Sequence, residues 1–539
     1  MAVECSEMPT HVRKTNAATR RQQPTAAFIL FAFLPVVVIW ASSPFVADGL
    51  YDEPFRPQFH FTPARNWTND PNGPVYYKGE YHLFYQYNPF GDEWGHMSWG
   101  HAVSRDLLHW QHLPVAIPEE NGVMIFSGST VVDLNNSSGL CKSSSATDHS
   151  CLIAVYTGYT GKEQNQNLAY SNDRGRTWSK YSGNPVIDLH LKDFRDPKVF
   201  WDEPRHRWVM VTALSPQHKL RFFGSTDLKH WTALSDFGPA GAVGGAWECP
   251  DLFQLPVEGQ PGETRWVLSV NVNPGGVAGG SGDQYFVGQF DGTRFANGNS
   301  ASQTLWADYG RDFYASTSFS DIPRSDGRRI WMGWLNNWDY AAHVPTSPWR
   351  GQQSIPRALK LHRTPQGIRL VQEPVIELQA LRERHVTVTN QSSEAANAIL
   401  QSKKVNGDTL EIEAEIDPEQ AAEFGIKVRK GPSEETVIGV DRAKSVLFVD
   451  RTRSGDISFD PKFPGRQEAP LNRAGEKAIA LHIFVDRCSV EVFANDGEVV
   501  VSDLVFPSSN SRAIELYSKV GKARIESLDV WNLKSIWSK

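Results

Sequence analysis

From Val75 onward the chain is cut into apolar runs of strand length, separated by turns rich in Asp, Gly, Asn and Pro. No segment of the first 370 residues carries four turns of helical periodicity. Runs this short bury their side chains by pairing into sheets. Val75-Tyr76-Tyr77, the turn Lys78-Gly79 and Tyr81-His82-Leu83-Phe84-Tyr85 predict a β-hairpin. A polar turn followed by Trp then recurs. It reads Asp106-Leu107-Leu108-His109-Trp110, then Ser171-Asn172-Asp173-Arg174-Gly175-Arg176-Thr177-Trp178, then Asp227-Leu228-Lys229-His230-Trp231, with a looser version from Asp202 to Trp208. Repeats of this size predict a β-propeller whose blades are small antiparallel sheets. In that reading the Asp ties the turn backbone and the Trp wedges between strands, so both are structural.

The texture changes near residues 375 to 390, where Glu373 to Arg384 reads as a short helix or an extended linker. Alternation resumes from about Ala395 to Leu533, as in Leu410-Glu411-Ile412-Glu413-Ala414-Glu415-Ile416. The run Ser489-Val490-Glu491-Val492-Phe493 ends in the hairpin signal Asn495-Asp496-Gly497. This part predicts a β-sandwich that supports the first domain. The expected organisation is a leader over 1–50, a propeller over 51–372, a linker over 373–394 and a sandwich over 395–539.

Arg13, Lys14, Arg20 and Arg21 precede an apolar run from Ala26 to Ala41, and small residues follow at Ala41, Ser42 and Ser43. This reads as a secretory signal with a long basic region; an uncleaved signal anchor is the alternative, and with it the only expected membrane attachment. In an exported chain Cys141 and Cys151, flanking a Ser-rich loop, are disulfide candidates worth about 3 kcal/mol. No CxxC spacing points to zinc, and Cys249 and Cys488 read as buried thiols. A net charge of −7 over 539 residues argues against nucleic acid as a partner. Eighteen Trp residues fit sugar stacking or an aromatic β core equally well.

Three carboxylates stand next to or near a Pro: Asp70 in Asn69-Asp70-Pro71, Asp196 in Arg195-Asp196-Pro197, and Glu248 in Glu248-Cys249-Pro250. Pro stiffens the backbone around it. Each is read as standing in a turn or at a strand end. Glycoside hydrolysis needs one carboxylate to attack or activate water and a second to protonate the leaving oxygen. The apolar neighbours Trp247 and Cys249 are expected to favour the neutral, proton-donating form of Glu248. Arg195 is expected to favour the ionised form of Asp196.

Taken in order, Asn66-Trp67-Thr68-Asn69-Asp70-Pro71-Asn72-Gly73, Arg195-Asp196-Pro197 and Glu248-Cys249-Pro250 resemble glycoside hydrolase family 32, the β-fructofuranosidases. Phe84-Tyr85-Gln86-Tyr87-Asn88-Pro89, Phe126-Ser127-Gly128-Ser129 and the Ser489–Gly497 segment extend the likeness from Phe55 to about Phe506. The resemblance implies a five-bladed β-propeller followed by a C-terminal β-sandwich. It implies Asp70 as nucleophile, Glu248 as general acid/base and Asp196 as transition-state stabiliser, with retained configuration and a covalent fructosyl-Asp intermediate. Asn69, Gln86, Trp94, Phe126, Ser127, Arg195, Tyr314 and Trp334 are carried over as substrate-binding residues, and no metal or cofactor is implied. Thr68 stands where the family usually has Met, which predicts a local change in packing.

The loop from Asn273 to Gly288 is similar to that of microbial exo-inulinases and levanases. It points to an exo-acting fructan hydrolase that also cleaves sucrose. An invertase acting mainly on sucrose and a fructosyltransferase of the same fold use the same carboxylates and stay open. A sialidase-like propeller would need an Arg cluster and a Tyr nucleophile that no motif supplies, and the intact carboxylates count against a non-catalytic sugar-binding protein. The sequon at Asn66 overlaps the Asp70 motif and is expected to carry no glycan. Those at Asn135, Asn136 and Asn390 lie in polar loops and are better acceptors.

Overall fold

The computed structural model describes residues 51–142, 148–471 and 478–537, and the segment read as a secretory signal lies outside them. The described residues form seven sheets, with one α-helix, Ser393–Ser402. No helix among them is long and apolar enough to cross a membrane. Five sheets come first in the chain, each built around an antiparallel meander of four strands. Their first strands are Asn66–Tyr77, Met124–Asp133, Phe194–Asp202, Ala246–Pro256 and Tyr314–Ser318. Each of these strands packs against the next, and the fifth packs back against the first. Trp349–Arg350 adds a short parallel strand beside Asn66-Trp67 at the edge of the first sheet.

Local chemistry accounts for the turns. Lys78 and Gly79 both take positive φ, +49° and +88°, which is what a two-residue turn between right-twisted strands requires. The Trp repeats sit at one place in three successive sheets, the turn between the third and fourth strands. Asp106 Oδ1 accepts from the backbone N–H of Leu108 and His109, and Asp227 Oδ1 from those of Lys229 and His230. Asp173 Oδ1 accepts from Thr177 N–H at 2.9 Å. Trp110, Trp178 and Trp231 each donate Nε1–H back to the carbonyl three residues earlier. The looser fourth version differs: Asp202 pairs with Arg205 and Arg207, in a turn between first and second strands.

The other two sheets, of six and five strands, share one apolar core. Leu410, Ile412, Ala414 and Ile416 alternate into it. Residues 373–394, expected as a linker, are largely regular: a 3-10 helix Ile376–Leu381, then a strand Arg382–Ser392 paired with the last strand Arg524–Leu533. Buried ion pairs join the first five sheets to the last two. Arg357 contacts Asp308 at 3.0 Å and Glu491 at 2.5 Å. His60 bridges Asp486 and Glu491, both at 2.8 Å, and these hydrogen bonds outweigh burial and push its pKa up to about 9. Cys141 and Cys151 are disulfide-bonded, while Cys249 and Cys488 are buried free thiols.

Candidate active site

Asp70, Asp196 and Glu248 do not stand in turns or at strand ends as read from the sequence. Each lies inside the first strand of its sheet, at a bulge where pairing is interrupted: between Thr68 and Pro71, Arg195 and Lys198, and Glu248 and Asp251. Pro197 and Pro250 lie within two of these bulges and Pro71 ends the third, and none of them has an N–H to give to the ladder. Asp70 and Asp196 lie within their bulges, and Glu248, paired with Asn271, directly precedes its own. Asp196 takes φ +63° there, a left-handed conformation that Asp tolerates better than most residues. Matching bulges between Phe126 and Gly128 and between Tyr314 and Thr317 complete the set over all five first strands.

The bulges converge on a pocket of about 370 Å³ lined by Asn69, Asp70, Gln86, Ser127, Arg195, Asp196 and Glu248, with Trp94, Phe126, Tyr159 and Trp338 as aromatic walls. Trp67 Nε1–H donates to Asn69 Oδ1 at 2.7 Å, which aims the Asn69 amide N–H at Asp70 Oδ1, 3.0 Å away. Ser127 Oγ–H donates to Asp70 Oδ2 at 2.6 Å. The Cys249 thiol lies 3.4 Å from Asp70 Oδ2 and 3.7 Å from Asp196 Oδ2, and Cys249 N–H donates to the latter at 2.9 Å. Asp196 is therefore held by a backbone amide, and the same residue's sulfur touches both aspartates.

Glu248 is held differently. Its Oε1 accepts from Arg195 Nε at 3.1 Å and its Oε2 from Tyr314 O–H at 2.5 Å. Its sequence neighbours turn away: Trp247 packs into the core between the third and fourth sheets, and Cys249 faces the aspartates. Their apolar character therefore does not set the surroundings of its carboxylate. Arg195 pairs with Asp196, as sequence adjacency predicts, but more loosely than with Asp193 and Glu248. Its Nε is 4.0 Å from Asp196, and its other bonds run to Gln164 and Asp193.

Two models of one family match this chain: the glycosyl hydrolases family 32 N-terminal domain over residues 60–374, and its C-terminal domain over 377–532. The chain belongs to glycosyl hydrolase family 32. It is a glycosidase. A levanase from Bacillus subtilis is 51% identical over 94% of this chain and 75% of that protein. The extracellular exo-inulinase inuE of Aspergillus niger is 41% identical over 90% of this chain and 96% of that one. Among solved structures, the exo-inulinase of Aspergillus awamori superposes with a TM-score of 0.83 at 38% identity, over 90% of this chain and all of that one. A fructofuranosidase of Schwanniomyces occidentalis complexed with fructose gives 0.79 at 32% identity, over 90% and 99%.

Within this family 32 pocket, burial dominates the aspartates. It pushes Asp196 up to about 7, against the pull of Arg195 and with added push from the charges of Glu248 and Asp70. Arg195 does favour the ionised form of Asp196, as its position in the sequence predicts, but desolvation outweighs it. Burial also raises Asp70, opposed by the Ser127 and Asn69 hydrogen bonds. Burial favours the protonated form of native Asp196 from about pH 4 towards 7, a range in which the unfolded chain has lost that proton. Stability therefore falls as pH rises through that window. Asp196→Asn removes the penalty. Urea unfolding is expected to show a gain of a few kcal/mol over wild type at pH 8 and almost none at pH 4; an equal gain at both pH values contradicts the account.

Tyr314 and Trp334 do not line the pocket. Tyr314 acts on it through Glu248, whereas Trp334 is fully buried behind Trp338, with ring centroids 4.8 Å apart. Trp94 is half exposed at the mouth and meets the Phe126 ring edge-on. Tyr159, Gln164, Lys192, Asp193 and Trp338 line the pocket without having been singled out in the sequence. Asp193, two residues before Arg195, carried the nearest signal. Thr68, in place of Met, is buried and donates its hydroxyl to the Gln86 carbonyl at 3.0 Å. Asn66 lies in a strand against Pro348 and Tyr87, whereas Asn135 and Asn390 are exposed. Asn136 is tied to the Cys141 backbone through both ends of its amide. Two groups, Glu163-Asp188-His190 and Glu411-Glu413-His482, have metal-like spacing among the described residues, and neither includes a pocket carboxylate.

Proposed function

We propose that this chain is an exo-acting β-fructofuranosidase. It releases terminal β-D-fructofuranosyl residues from inulin- and levan-type fructans and from sucrose. The observation that carries the reading is the convergence of Asp70, Asp196 and Glu248, from three different sheets, on one aromatic-walled pocket. The five sheets, with first strands packed in order and closing on the first, act as the blades of a five-bladed propeller. The last two sheets act as its sandwich, with the boundary near residues 374 to 377. The signal segment and the extracellular relatives support secretion.

Asp70 attacks the anomeric carbon as the bond to the leaving oxygen breaks, and Glu248 gives that oxygen its proton. Tyr314 and Arg195 keep the Glu248 carboxyl aimed. Asp196 accepts hydrogen bonds from the ring hydroxyls as positive charge builds on the sugar. Glu248 then takes a proton from water, the water oxygen bonds to the anomeric carbon, and Asp70 leaves. Two inversions give net retention.

A product profile on sucrose, inulin and levan tests the reading. Stepwise release of fructose from at least one polymer is expected, along with hydrolysis of sucrose. Oligofructans formed from concentrated sucrose with little free fructose would assign the chain to a transferase instead.

A further inference from the structure

The bulges that aim the pocket residues end at a common depth. Regular pairing resumes at Lys198 on the Asp196 strand, at Asp251 on the Glu248 strand and at Thr317 on the Tyr314 strand. These three residues meet. Lys198 Nζ lies 3.1 Å from Asp251 Oδ2 and donates to Thr317 Oγ1 at 3.1 Å and to the Ser318 carbonyl at 2.6 Å. Ser318 N–H donates to the same Asp251 oxygen at 2.6 Å, closing the knot. Lys198 and Asp251 are both buried. A small cavity of about 20 Å³ is lined jointly by Lys198, Thr317, Asp196, Cys249 and Ser127, so the knot lies directly behind the pocket residues. Lys198 itself does not line the substrate pocket.

A buried lysine is costly. Desolvation pulls its pKa down, and the charge of Asp251 opposes this. Buried ion pairs often add little net stability over apolar packing, and in some proteins they serve to fix geometry. Here the geometry concerns three strands that each deliver one active-site side chain.

We propose that Lys198 is a positioning residue: its ammonium ties three strands just below their bulges and so sets where Asp196, Glu248 and Tyr314 stand relative to one another. This rests on the roles given above to Asp196 and Glu248. A displacement of about 1 Å in such a constellation costs on the order of 10²-fold in rate.

The test uses the full-length enzyme with Lys198→Met, the double variant Lys198→Met/Asp251→Asn, which keeps an oxygen for the Ser318 N–H, and Asp70→Asn as a reference. Lys198→Met is expected to lower kcat on sucrose by roughly 10²-fold with KM within about threefold of wild type. It also leaves Asp251 as an unpaired buried charge, so its melting temperature falls. The double variant removes that charge and is expected to recover the melting temperature while kcat stays low. A double variant with wild-type kcat, or a folded Lys198→Met with kcat within about threefold of wild type, overturns the proposal. An active Asp70→Asn would instead overturn the carboxylate assignment; an inactive Asp70→Asn beside an active double variant removes only the role of Lys198.

Discussion

Asp70→Asn is expected to lower kcat on sucrose by about 10⁴- to 10⁶-fold. The amide has the shape of the carboxyl; its oxygen can accept from Asn69 while its NH2 donates to the Ser127 hydroxyl, so the pocket keeps its form. What it loses is the oxygen proposed to bond to the anomeric carbon. The Ser127 and Asn69 hydrogen bonds favour an ionised Asp70 against its burial, which serves a nucleophile that must attack as an anion. Initial rates of fructose release measure the effect, with thermal melting as the check on folding. Because a buried carboxylate is removed, the melting temperature should not fall. A variant within tenfold of wild type would exclude Asp70 as nucleophile.

Glu248→Gln is expected to cost about 10²- to 10⁴-fold, and the loss depends on the substrate. Sucrose and fructans leave as alkoxides and need a proton. An aryl fructoside leaves without one, so its fructosylation step should be far less affected. Tyr314 and Arg195 hold Glu248 from two sides, and the side chain of Gln keeps the length that this contact requires. Comparing kcat/KM for sucrose with that for an activated fructoside reads the difference. Equal losses on both would place the role of Glu248 in binding rather than proton transfer.

How far the sequence revealed this molecule follows from the range of each signal. The Asp and Trp of the turn repeats were legible because their bonds are local: an Asp carboxylate reaches amides two to four residues on, and a Trp reaches back three. The three carboxylates were legible as a motif set, but not the bulges that aim them, since a bulge is a relation between two strands. The pull of Arg195 on Asp196 was legible from adjacency, but not the burial that outweighs it, since burial depends on the packing of several sheets. The strand Arg382–Ser392 was hidden by composition: Glu383, Arg384, His385, Thr387 and Thr389 are exposed, and only Val386 and Val388 of its central stretch turn inward. Glu411 looked like an outward residue of an alternating strand, yet it is buried and paired with Arg382 and His482. Lys198 follows the Asp196 motif directly, and only the meeting of three sheets gives it a partner.

The central claim is that Asp70 carries the fructosyl group. Rapid acid quenching of the enzyme during turnover of an activated fructoside, followed by peptide mass mapping, tests it most directly. The predicted result is the added mass of one anhydrofructosyl unit on the peptide containing Asn69-Asp70-Pro71, absent in Asp70→Asn. An adduct on the Asp196 or Glu248 peptide, with none at Asp70, would contradict the account.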